Sequence, residues 1–138
     1  MKIKYNSDII KYMSIFSTIT KAELKDCFID NNNMLTFVVN ENNIGRAIGK
    51  RGIYINMLEK ALNRKIKIVE FNPNINQFVK NVVFPLKIAK ITQDEKKLII
   101  EAVDSKTRGK LISRAAKSLR NYESIVKRYF DIDEIKVL

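Results

Sequence analysis

The chain has 138 residues, with 26 Lys and Arg against 15 Asp and Glu, a net charge of +11 and 46% hydrophobic residues. That apolar content builds a folded core and excludes a disordered basic tail, while the charge points to a polyanionic partner. There is no histidine and one cysteine, which removes the commonest general base and any thiolate zinc site, so no metal, cofactor or catalysis is expected.

In chain order, Met1-Lys2-Ile3-Lys4-Tyr5-Asn6 is followed by no long apolar run, and no segment approaches bilayer length. The expectation is a cytoplasmic protein with no membrane contact. Ser7 or Asp8 is positioned to cap a first helix whose apolar residues Ile9, Tyr12, Met13 and Phe16 have helical spacing. Two strands follow, Leu24 to Ile29 and Leu35 to Val39, with Cys27 as a small buried side chain of the first. Residues 42–48 form a short helical stretch, Gly49-Lys50-Arg51-Gly52 interrupts it, and Ile55, Leu58 and Leu62 mark one face of the next helix. Lys65-Ile66-Lys67-Ile68-Val69 alternates like a third strand.

Pro73, set among asparagines, breaks the pattern, and the elements begin again. Asn74 caps a helix with Ile75, Phe78, Val79, Val82 and Val83 on one face, and Pro85 marks its stop. Strands are expected at residues 86–91 and 98–103. Residues 45–52 lie over residues 109–116 without a gap. Leu119, Tyr122, Val126 and Tyr129 or Phe130 then form the last helix's stripe, and Ile135 and Val137 suit a closing strand.

The chemistry concentrates at Gly49-Lys50-Arg51-Gly52. Glycine has no Cβ, so a polyanionic strand can approach the backbone at Gly49 and Gly52, and positive φ is available for a tight turn. Lys50 and Arg51 place charge at the tip, Arg46 flanks it, and the N-terminus of the following helix attracts an anion. A plain helix connector is the structural alternative, but two cations inside the turn of a basic protein favour nucleic acid. A nucleotide-binding P-loop is excluded, because only three residues separate Gly45 from Gly49 and Arg51 stands where Ser or Thr must reach magnesium.

Helix, strand, strand, helix, GKRG, helix, strand resembles the type-two KH RNA-binding domain, whose GXXG loop clamps backbone nucleotides of a single strand. The repeat extends the resemblance to the whole chain, which is similar to the archaeal NusA-like transcription factors. The resemblance implies an α+β fold of two tandem type-two KH domains, at residues 1–71 and 72–138, each a three-stranded sheet with helices packed on one face. It also implies a non-catalytic elongation, termination or antitermination factor acting on nascent transcript, with single-stranded RNA and RNA polymerase as partners. Gly49, Lys50, Arg51, Gly52 and Arg46 would hold the RNA backbone, and Ile44, Gly45 and Ala47, with Ile48 and Ile55, would border the groove for bases. Ile48 and Ile55 suit the core better. Two alternatives stand beside this: a KH protein of ribosome biogenesis or RNA processing, and a module docking on polymerase or ribosome with incidental RNA contact.

The second repeat departs at the loop, where Ser113-Arg114-Ala115-Ala116 lacks both glycines. Because alanine favours helix, this segment is expected to join its flanking helices more continuously than the first loop does. Lys106, Arg108, Lys110, Arg114, Lys117 and Arg120 keep it basic. Lys110, Arg114, Lys117 and Arg120 are read as secondary phosphate contacts, with a solvated helix face as the equal alternative.

Overall fold

A computed structural model describes residues 5–138. The chain divides into two compact units, the first ending at Asn72 and the second running Pro73–Leu138. The first contains α1 (Ser7–Thr20), β1 (Leu24–Ile29), β2 (Leu35–Val39), α2 (Ile44–Ile48), a 3-10 turn (Lys50–Gly52), α3 (Ile53–Leu62) and β3 (Ile66–Glu70). The second repeats that order with α4 (Ile75–Val83), β4 (Ile88–Asp94), β5 (Lys97–Ala102), α5 (Ser105–Ile112), a 3-10 turn (Arg114–Ala116), α6 (Lys117–Lys127) and β6 (Glu134–Val137).

Each unit builds a three-stranded sheet, ordered β1-β2-β3 and β4-β5-β6. The first pair in each is antiparallel and the second parallel, with Phe37 set between Cys27 and Ile68, and Ile100 between Ile91 and Val137. A parallel neighbour cannot be reached by a hairpin, so the chain must cross over the sheet between β2 and β3, and again between β5 and β6. That crossover is the helix–turn–helix carrying each loop. The topology therefore demands a sharp turn there, whatever residues occupy it.

In the first unit Phe16 stacks on Phe37 with ring centroids 4.4 Å apart, in a buried cluster with Ile9, Ala22, Cys27, Leu35, Val39, Ala47 and Leu58. All five residues of β2 are buried, including Thr36 and Val38 on the face away from Phe37. The unbroken run Leu35-Thr36-Phe37-Val38-Val39 is the pattern of a strand covered on both sides. In the second unit Phe78 meets the edge of Tyr129 at 5.4 Å and lies 5.6 Å from Phe130. Tyr129 and Phe130 do this from beyond the end of α6; within it Leu119 and Val126 are buried as expected, joined by Asn121, Glu123 and Ile125, while Tyr122 is half-buried.

Boundaries differ from the sequence reading at α1 and α2, which starts at Ile44, and at β4 and β5, which run Ile88–Asp94 and Lys97–Ala102. Asn6, not Ser7 or Asp8, caps α1: its backbone is extended and its Oδ1 accepts from Ile9 N at 2.9 Å, which puts Ser7 and Asp8 in the first turn. Asn74 caps α4 as expected, its Oδ1 accepting from Gln77 N. β4 begins at Ile88 because Leu86 N is held by Val83 O, in the turn that carries Pro85.

Candidate nucleic-acid interface

The first loop begins where α2 ends. Gly49 N donates to Gly45 O at 2.9 Å, and Gly49 then takes φ 76° and ψ 170°, a region essentially restricted to glycine. Gly52 N closes the turn on Gly49 O at 3.1 Å. Arg51 and Gly52 are both left-handed, at φ 56° and 72°, and α3 starts at Ile53 without a side-chain cap. The N–H of Ile53 is taken by Lys50 O, and no side chain caps the head of α3, which lies next to the exposed side chains of Lys50 and Arg51. Arg46 and Gly45 are exposed on α2 just before the turn.

The two glycines serve different needs. A Cβ on Gly49 would lie 2.6 Å from Tyr54 Cδ2 and 3.0 Å from Ile53 Cγ2, so a ring fills the place where a side chain would go. A Cβ on Gly52 would meet nothing within 4 Å. Gly49 is thus required by packing as well as by its backbone angles, whereas Gly52 is required by φ alone and leaves open space at the tip.

Among the expected groove residues, Ala47 must be corrected. It is 0% exposed and belongs to the core, so it supports α2 from beneath and presents nothing to a bound strand. Ile44 is half-buried against the same core, and Ile48 and Ile55 are half-buried too. The exposed apolar residues beside the loop are instead Ile53 and Met57, at 51% and 44%. They lie one turn apart on α3, outside the Ile55, Leu58 and Leu62 stripe. That placement was available in the sequence as an apolar i, i+4 pair off the buried face.

The second loop does not run its helices together. Ser113 takes φ 59° and ψ −178°, Ala115 φ 56°, and Ala116 φ 56°, almost the backbone path of Gly49 to Gly52 without a glycine in it. Helical propensity is overruled because the crossover to β6 needs the same turn. The hydroxyl of Ser113 accepts from Ser118 N at 2.8 Å, and so supplies the helix cap that the first loop lacks. Ala115 stands where the first loop has Arg51, leaving Arg114 as the one tip cation. Lys106, Arg108, Lys110, Arg114 and Lys117 are exposed. Arg120 is engaged: its Nη1 donates to Glu123 Oε2 at 2.9 Å.

Glu123 belongs to a pair of buttresses that sequence reasoning missed. Glu59 Oε2 on α3 accepts from Ile66 N at 3.2 Å, and Glu123 Oε2 on α6 accepts from Ile135 N at 2.9 Å. Each carboxylate ties the helix after a loop to the parallel strand that closes the sheet. The helices before the loops are anchored differently. Asn43 Oδ1, at the start of α2, accepts from Glu23 N at 2.9 Å, while Asp104 caps α5 through Thr107 N at 2.7 Å. That hydrogen bond holds the Asp104 carboxyl below its usual value.

No group of three or more metal-ligating side chains occurs among the described residues, and no helix among them is long and apolar enough to cross a membrane. The profile of the KH domain matches residues 10–104, a span that contains the whole GKRG crossover. The chain belongs to the KH domain family. Archaeal relatives extend the similarity beyond the KH match. A probable transcription termination protein NusA of Thermoplasma acidophilum is 26% identical over 99% of this chain and 96% of its own length. A protein of the same name from Halobacterium salinarum is 27% identical over 99% of each. Among solved structures, the crystal structure of APE1850 has a TM-score of 0.76 at 26% identity, covering 97% of this chain and all of that one. The resemblance to archaeal NusA-like proteins read from the sequence thus holds along nearly the full length of this KH protein.

Proposed function

We propose that this KH protein binds single-stranded RNA without catalysis and acts on nascent transcript as a cytoplasmic elongation or termination factor, with RNA polymerase as its protein partner. The observation that carries the reading is the first loop: two positive-φ glycines, two exposed cations and an uncapped helix N-terminus converge on one turn. Such a turn offers backbone donors and side-chain charge to consecutive phosphates, which is how a GXXG loop holds a strand. In this reading Gly49, Lys50, Arg51 and Gly52 grip the backbone, Arg46 takes a flanking phosphate, and Ile44 and Gly45 border the bases. The second unit is a second type-two KH domain, with the boundary after residue 71 or 72. Its cations Lys110, Arg114 and Lys117 give a weaker, sequence-independent contact. The NusA names of the relatives support transcription as the setting.

The test is affinity for a random single-stranded RNA pool and for duplex DNA across a salt series, in wild type and Lys50→Asp/Arg51→Asp. The expected result is tight RNA binding that the variant loses, with the dependence of log affinity on log salt shallower by about 1.4 for two lost phosphate contacts. Equal binding by both proteins, or no preference for RNA over duplex DNA, overturns the reading. Binding to polymerase that survives the charge reversal would then mark a docking module.

A further inference from the structure

Gly49 and Ser113 occupy the same place in their turns, and Tyr54 and Ser118 are each the second residue of the helix that follows. These two pairs are exchanged together. Where residue 49 has no side chain, the Tyr54 ring fills the space, 2.6 Å from where a Cβ would sit. Where residue 113 carries a side chain, residue 118 has no ring to collide with it, and the Ser113 hydroxyl bonds Ser118 N at 2.8 Å. The same backbone turn is thus locked in two ways. One is an aromatic ring packed on a glycine; the other is a hydroxyl capping the helix.

The locks differ in what they leave for a ligand. The N–H of residue 118 is one of the donors at the head of α6 that an anion would use, and the Ser113 oxygen already accepts from it. The N–H of Tyr54 has no such side-chain acceptor, since Gly49 supplies none and α3 begins uncapped. We propose that the 49/54 and 113/118 pairs decide which loop takes an RNA phosphate at its backbone: Tyr54 positions an open loop, and the Ser113 hydroxyl fills the corresponding anion position in the second. This rests on the first loop being an RNA clamp. Tyr54 is a positioning residue, acting through Gly49 on the turn, and the second loop is left with side-chain charge alone.

The experiment transplants the locks and measures binding of a short fluorescent single-stranded RNA of random sequence, with thermal unfolding alongside. Gly49→Ser/Tyr54→Ser should stay folded yet bind about tenfold more weakly, the worth of one hydrogen bond to a charged group. Tyr54→Ala should lower affinity and Tyr54→Phe recover it, because the ring and not its hydroxyl packs on Gly49. In wild type, adding RNA should shift the amide resonance of Tyr54 and leave that of Ser118 in place. Wild-type affinity in the transplant, or equal shifts at both amides, overturns the proposal. Should the transplant not fold, Ser113→Gly/Ser118→Tyr in the Lys50→Asp/Arg51→Asp background decides: RNA binding about tenfold tighter than in that background supports the proposal, and no gain contradicts it. If Lys50→Asp/Arg51→Asp alone binds as wild type, the clamp reading has failed; if it loses binding while the lock exchanges change nothing, only this inference has.

Discussion

Gly49, Arg51 and Gly52 take φ values of 76°, 56° and 72° in the first loop, and Ser113, Ala115 and Ala116 take 59°, 56° and 56° in the second. One path is built on glycine at two of three positions and the other on none. Left-handed backbone costs an L-residue roughly 1–2 kcal/mol, so the second loop holds more strain than the first. It persists because the crossover over a mixed sheet fixes where the two helices end and begin, and the packed helices impose the turn. The comparison teaches that the shape of the turn and the chemistry it carries are separable here. The second unit keeps the turn but has one tip cation fewer, no glycine in it, and a side-chain cap on the N–H of Ser118 that the first lacks at Tyr54.

Breaking the first lock should have the largest effect on stability. Gly49→Ser alone drives a Cβ into the Tyr54 ring in a glycine-only backbone region, and should cost about 2–4 kcal/mol in urea unfolding. Adding Tyr54→Ser should recover part of that loss, and a loss no smaller in the double variant would show that the two positions are not coupled.

The buttresses give the next largest effect. Glu123→Ala strips a buried carboxylate from Ile135 N and from Arg120 and should cost about 2–3 kcal/mol. Glu59→Ala, at the more exposed and longer bond to Ile66 N, should cost about 1 kcal/mol. Equal costs from denaturant melts would mean that burial does not separate the two sites.

Smaller still is the exchange of Cβ atoms at the last turn position. Ala116→Gly should stabilise by about 0.5–1 kcal/mol by relieving positive φ, and Gly52→Ala should destabilise by a similar amount, since open space leaves backbone strain as its only cost. Opposite signs in chemical denaturation sharpen the comparison; the same sign breaks it.

The smallest effect is on pH. The Asp104 carboxyl is lowered in the folded protein from an ordinary 3.8 by the N–H of Thr107, so its contribution is complete above that value and lost as pH falls through the lowered one. Asn43, at the start of α2, has nothing to titrate there. Acidification should therefore loosen α5 before α2 in amide exchange, and Asp104→Asn should abolish the difference.

Much of this was legible from residue pattern. β1 and β2 fall at the expected residues, the α4 stripe of Phe78, Val79, Val82 and Val83 is buried as its spacing required, and the GKRG turn sits between two helices. Local signals failed where a longer-range constraint prevailed. Ser113 to Ala116 read as helix because propensity knows nothing of a crossover. Asn6, Ser7 and Asp8 are three successive capping residues, and composition does not rank them. Ala47 read as groove lining because its size suits either side of a short helix. Glu59 and Glu123 drew no attention in the sequence, since their partners are backbone N–H groups of the strands that follow their helices.

The central claim is that RNA is held by the first loop and merely attracted by the second. The most direct test compares matched charge reversals, Lys50→Asp/Arg51→Asp in one and Arg114→Asp/Lys117→Asp in the other, by affinity for single-stranded RNA at fixed salt. The account predicts a loss of about a hundredfold or more in the first variant and only a few-fold loss in the second. Equal losses would mean that net charge, not the GKRG turn, holds the RNA, and would contradict the account.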